Sequence, residues 1–183
     1  MGDPKRQRKS YATPRHPWRS DQLEVELRLL GEYGLRNKRE LWRYKTMLSE
    51  VRGIARSLLG RSEAERARVQ QEYLTKLSRI GVLSESASID EVLDLDIRDL
   101  LERRLQTMVF KRGLAKTLFQ ARQLVSHGHI SIAGKIVSIP GYMVSREEEQ
   151  KIKYFAQSPI AKADHPMRKV IAATTAGHEV AVS

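Results

Sequence analysis

Apolar side chains recur at helical spacing through much of the first hundred residues. One run is Leu41, Tyr44, Leu48, Val51, Ala55 and Leu58, and another is Val69, Tyr73, Leu77 and Ile80. Steps of three and four place such residues on one helix face, the face a bundle buries. Helix starts are marked by a short polar residue with an acid three positions later: Asp21 with Glu24, Asn37 with Glu40, Ser62 with Glu65, Ser88 with Glu91. This is the capping-box spacing, in which each side chain takes a backbone N–H that the first turn leaves unpaired. Gly34, Gly60 and Gly81 stand where these helices should stop.

From about residue 98 the pattern shortens. Leu101, Leu105 and Met108 predict one helix ending near Gly113. Thr117 with Gln120 predicts the start of a second, with Leu118, Ala121 and Val125 inward and Gly128 past its end. The period then falls to two. Ile130 and Ile132 flank Ser131, and Ile136 alternates with Ser138 after Ala133-Gly134, which predicts a tight hairpin. A short strand is expected over 151–155. The fold class expected is mostly α with a small α+β module: a helical bundle, then two helices followed by a β hairpin or small sheet. Four segments result: an extended arm (1–20), a helical domain (21–97), the small module (98–155) and a C-terminal tail (156–183).

Charge changes the picture. The 183 residues hold 33 Lys or Arg against 22 Asp or Glu, a net +11. A chain this basic attracts polyanions, since each neutralised phosphate releases counterions. The excess is uneven. Residues 1–20 carry six Lys or Arg and one acid, whereas 21–97 are nearly balanced at 13 against 14. Between Arg103 and Arg146 there are eight Lys or Arg and no acid at all. A solvated helix face normally mixes signs, so this run reads as the footprint of a nucleic-acid site.

Other chemistry is sparse. The absence of cysteine removes disulfides and thiolate metal sites. His127 and His129 are spaced neither as a helical pair nor as a closed metal site. Gly128 to Gly134-Lys135 fails as a phosphate-binding loop, with Ile136 where Ser or Thr is needed. Glu147-Glu148-Glu149 reads as a solvated turn. No apolar run reaches the roughly 18 residues of a spanning helix. Met1-Gly2 lacks the Ser or Thr that myristoylation expects, having Arg6 there. A cytoplasmic protein is expected, with no cofactor, metal or small-molecule substrate.

The run Ala121-Arg122-Gln123-Leu124-Val125-Ser126-His127-Gly128-His129-Ile130, with Ile139-Pro140 after the hairpin, resembles the RNA-binding domain of the ribosomal protein S-four family. Upstream, Gly2-Asp3-Pro4-Lys5, Pro14-Arg15-His16-Pro17-Trp18 and Gly34-Leu35-Arg36-Asn37-Lys38-Arg39-Glu40 resemble its archaeal and eukaryotic branch. The resemblance implies a structural constituent of the small ribosomal subunit that binds its rRNA early, nucleates assembly, contacts protein S-five and influences decoding accuracy. Two departures matter. Relatives often carry Asn-Gly at the hairpin tip, where both residues favour φ > 0, so Ala133 leaves the turn type open. Bacterial relatives often carry N-terminal cysteines that suggest zinc, and this chain has none.

The residues expected to meet RNA are Arg103, Arg104, Lys111, Arg112, Lys116, Thr117, Arg122, Gln123, His127, His129 and Lys135. From the arm, Lys5, Arg6, Arg8, Lys9, Arg15 and Arg19 join them. Arginine can fork onto a phosphate, while lysine acts as a mobile point charge. Aromatics are only 6% of the chain. Phe110 and Phe119 are expected in the core, so recognition by shape and backbone is expected over base stacking. The alternatives are an RNA-modifying enzyme or synthetase that docks through the same module, and a free RNA chaperone. The first would need a catalytic domain, which the short helical 21–97 segment does not offer. The arm is expected to order only on RNA.

Overall fold

A computed structural model describes residues 9–60, 62–84, 86–162 and 165–171. The first core is helical. Helix α1 (Ser20–Glu32) and the long α2 (Lys38–Leu59) are followed by α3 (Glu63–Ile80), α4 (Ile89–Asp94) and α5 (Ile97–Glu102). Leu41, Leu48, Ala55 and Leu58 of α2 are buried against Leu77, Val92, Leu100 and Leu101. The α3 stripe is shallower, for Leu77 is buried but Val69 stays 39% exposed. Glu26 fastens α1 to α2. Its buried carboxylate accepts hydrogen bonds from Lys45 Nζ at 2.7 Å and Trp42 Nε1 at 3.1 Å.

Of the four expected capping boxes, Ser88–Glu91 closes in both directions. Asn37 accepts from the Glu40 N–H, but the Glu40 carboxylate turns elsewhere. The Asp21 box does not form, because α1 starts at Ser20 and Arg19 is its cap residue. Ser62 makes no side-chain capping bond. Two boxes went unforeseen, Asp96 with Asp99 and Ser145 with Glu148.

The second core runs from Leu105 to Ile160. Helices α6 (Leu105–Lys111) and α7 (Leu118–Ser126) pack on a sheet of β1 (Ile130–Ile132), β2 (Lys135–Ile136) and β3 (Ile152–Tyr154). Among the described residues the strand order is β2-β1-β3, antiparallel throughout, with Ser131 opposite both Ile136 and Lys153. Between β2 and β3 lies α8 (Arg146–Glu149), where a solvated turn was expected. Glu148 takes the N–H and hydroxyl of Ser145 and the hydroxyl of Tyr142, so this acid run is built into the fold.

Two terminal segments pack on the cores. Residues 9–12 of the arm lie on α2: the Ala12 N–H donates to Thr46 Oγ1 at 2.9 Å, and the Tyr11 ring sits 5.9 Å from that of Trp42. The described part of the tail is folded too. Ile160, in a short 3-10 turn (Pro159–Ala161), and Ile171 are both buried.

The hairpin tip resolves the open turn. Ala133 has φ 50° and Gly134 φ 83°, the paired positive values of a type I′ turn. Ala133 is the one non-glycine with positive φ among the described residues. Its Cβ crowds the following carbonyl there, at a cost of roughly 1–2 kcal/mol. Replacing Ala133 by Asn, which tolerates that region, should stabilise the protein by about 1 kcal/mol. A urea titration that shows no rise in midpoint would refute this.

Candidate nucleic-acid interface

The module begins with a strapped helix start. Arg104 is the cap residue of α6 but gives no side-chain cap. The loop after the hairpin supplies the acceptors: Leu105 N–H donates to Tyr142 O at 2.8 Å and Gln106 N–H to Pro140 O at 3.2 Å. The Arg104 side chain is thereby directed inward, where it is 1% exposed.

There it meets Glu40. Arg104 Nη2 donates to Glu40 Oε2 at 3.1 Å, while Arg122 donates to both Glu40 oxygens at 3.1 and 2.6 Å. Gln106, fully buried, completes the cluster. Its Oε1 accepts from Arg104 and Arg122, and its Nε2 donates to the carbonyls of Gly34 and Leu118, each at 3.0 Å. Arg104 also lies over the Tyr44 ring at 5.2 Å, and the Tyr44 hydroxyl donates to Gly141 O. Gly34 admits the close approach. Its φ is +56°, and a Cβ there would stand 3.0 Å from Leu118 Cβ. The cluster therefore ties α2 of the first core to α6 and α7 of the second.

Glu40 feels opposed influences. Burial alone would push its carboxyl up, but the Arg122 hydrogen bonds and the nearby Arg104 charge outweigh it and hold the carboxyl below its ordinary value.

The predicted contacts sort into three groups. Arg104 and Arg122 both pair with Glu40, and the Arg104 guanidinium, 1% exposed, presents no free fork at the surface. Arg103 is likewise drawn in, to Glu149 at 2.9 Å and the Val144 carbonyl, with 12% of its side chain exposed. His129 Nδ1 lies 2.8 Å from Ser158 Oγ and anchors the tail. Its ring is 6.2 Å from that of His127, and no metal-holding cluster of three His, Asp or Glu occurs among the described residues.

A second group is exposed but has a partner. Lys111 pairs with Glu102 at 3.1 Å, and Arg112 donates to the neutral Ile152 carbonyl without an ion pair among the described residues. Thr117 Oγ1 caps α7 by accepting from Gln120 N–H. Lys9 lies over the Tyr11 ring at 4.7 Å, and Arg19 pairs loosely with Asp21 at 3.8 Å.

The third group is exposed with no ion pair among the described residues: Lys116 and Lys135, with the polar Gln123 and His127, and Arg15 in the arm. Lys5, Arg6 and Arg8 lie outside the described residues. Among the described residues, Arg103, Arg104, Lys111 and Arg122 of the acid-free run thus find acids from beyond it.

One feature went unread in the sequence. Phe119, expected in the core, is 65% exposed on α7. Arg36, Arg39 and Arg43 are exposed at and just before the start of α2, beside the junction.

Residues 103–149 match the family model described as S4 domain. A protein of Nanoarchaeum equitans named small ribosomal subunit protein uS4 is 48% identical over 90% of this chain and 93% of its own length. Proteins of the same name from Thermoplasma volcanium and Hyperthermus butylicus are 47% and 49% identical, over 93% and 88% of this chain and 87% and 92% of theirs. The chain belongs to the uS4 family. These relatives are archaeal, in keeping with the branch that the upstream segments resemble. The S4-domain match begins at Arg103, so the uS4 relatives' alignment, not the domain alone, spans the Glu40 side of the junction.

Replacing Glu40 by Gln leaves two arginines without their counter-charge. The expected cost is about 2–3 kcal/mol, below the roughly 3–5 of a fully buried pair because Glu40 keeps 19% exposure. The acid dependence has a definite sign. A depressed folded pKa gives stability that is complete above the unfolded value of about 4.3 and is lost as pH falls through the folded value. Urea midpoints from pH 7 to 3 should therefore fall less steeply for Glu40→Gln than for wild type. Superimposable profiles would remove Glu40 as a source of acid lability.

Proposed function

We propose that this chain is a structural, rRNA-binding component of the small ribosomal subunit. The observation that carries this reading is a set of exposed cations without ion pairs among the described residues, on two cores joined through Glu40, in a chain of the uS4 family. No acid lies in sequence between Arg103 and Arg146, and the acids that approach in space are absorbed by Arg103, Arg104, Lys111 and Arg122. Lys116, Lys135, Arg112 and Gln123 then face outward on the second core, with Arg36, Arg39 and Arg43 across the junction.

Because the helices are locked together, these cations keep fixed separations and suit only some phosphate arrangements. That favours a folded RNA junction over any strand of equal charge. The proposal extends to early binding that nucleates assembly, to an influence on decoding accuracy, to protein S-five as a neighbour and to a cytoplasmic location. No helix among the described residues is long and apolar enough to cross a membrane. An enzymatic reading has no support in the names of the relatives.

Sedimentation of cell extract is the direct test. The protein should travel with small subunits, and recovery mainly in free fractions would defeat the proposal. A salt titration against folded small-subunit rRNA should show log affinity falling with log salt. Lys116→Ala should reduce that slope by about one unit while leaving preference among RNAs nearly intact. An unchanged slope would take Lys116 out of the interface.

A further inference from the structure

Phe119 stands apart from the other aromatics of the second core. Phe110, Tyr142 and Tyr154 are packed against its apolar residues, whereas Phe119 is 65% exposed. It is the second residue of α7, directly after Leu118, which is held by Gln106 and pressed against Gly34. The ring therefore rests on backbone that the junction fixes from two sides.

Helical spacing gives the ring its surroundings. Gln123, four residues on, is exposed on the same side of α7, and exposed Lys116 stands in the chain just ahead of the Thr117 cap. Helix α7 contains no acid, and the acid closest to it in the junction, Glu40, is occupied by Arg104 and Arg122. The loop carrying exposed Arg36 follows Gly34 past Leu118. An apolar protein partner would gain little from a lone ring among cations and amides. A flat π face flanked by a cation and a side-chain amide suits a nucleobase, whose own phosphate falls to the cation.

We propose that Phe119 is a stacking platform for one unpaired nucleobase of the bound RNA, with Lys116 on the adjoining phosphate. This rests on the rRNA-binding reading and adds to it one position at which an unstacked base, not the backbone alone, is recognised. It also revises the expectation that the site offers no stacking surface.

The test compares wild type with Phe119→Ala, Phe119→Leu, Phe119→Tyr and Phe119→Trp on deproteinised small-subunit rRNA and on a fully paired RNA duplex. Removing one stacked base should weaken rRNA binding by about 5- to 150-fold in the Ala variant. The Leu variant should fall with it, Tyr and Trp should stay near wild type, and the salt slope should not change. Duplex binding should be the same for all five, because paired bases are already stacked. Since position 119 is exposed, each variant should keep the wild-type unfolding midpoint. Wild-type affinity in the Ala variant overturns the proposal. So does full affinity in Leu, which would mark a simple apolar contact such as a protein partner makes, or an equal loss on duplex. In those cases the rRNA-binding reading survives. Failure of the wild type itself to bind rRNA would overturn both.

Discussion

Glu40 is the charged centre of the contact that joins the two halves of this molecule. Glu40 lies in the first turn of α2, where a capping box would bend its side chain back to the Asn37 N–H. Two guanidiniums from the second core take it instead, one of them with both arms. A buried ion pair gains little against its desolvation unless the remaining hydrogen-bonding capacity is filled. Gln106 does much of that filling, accepting from both arginines and donating to the backbone of both cores. Arg104 still keeps Nε and Nη1 unpaired in its buried position, so the cluster fixes orientation more than it adds stability.

That fixed orientation decides which cations can serve the surface. Charge in a sequence is linear, but charge in a fold is set by what packs alongside. The acid-free run from Arg103 to Arg146 is basic only until Glu40, Glu102 and Glu149 arrive from before and after it. The arginines, which are the better forks, are largely turned inward, and the outward positions go to Lys116 and Lys135. Arginine's planar, weakly hydrated head suits a buried pair better than lysine's compact ammonium, which accounts for this division.

Much of the fold was legible because local rules and tertiary packing agree over most of the chain. The α2 stripe, the Thr117 start of α7, the period-two strands and the turn at Ala133-Gly134 each follow from short spacings. Legibility failed where a distant partner overrode the local rule. Glu40 reads as a capping acid until Arg104 and Arg122 are placed beside it. Glu149 reads as solvated until Arg103 reaches it. Phe119 reads as core by residue type alone. Only the helical phase set by Ala121, Leu124 and Val125, all buried, shows that position 119 points away. The tail lacked any period, yet Ser158, Ile160 and Ile171 are buried, because scattered contacts such as the Ser158–His129 hydrogen bond and Arg168 over the Tyr154 ring dock it without a repeat.

The junction has a temporal side. Glu40 is separated by 64 residues from Arg104 and by 82 from Arg122. At roughly 5–20 residues per second, a growing chain leaves that carboxylate without Arg122 for about 4–16 s after it is made. The first core can close in that interval from its own residues, which span Leu29 to Leu101. The second core cannot set its angle to the first until α7 exists. The surface that carries Lys116 and Phe119 is therefore among the last parts of the nascent protein to acquire its geometry, however early its helices form.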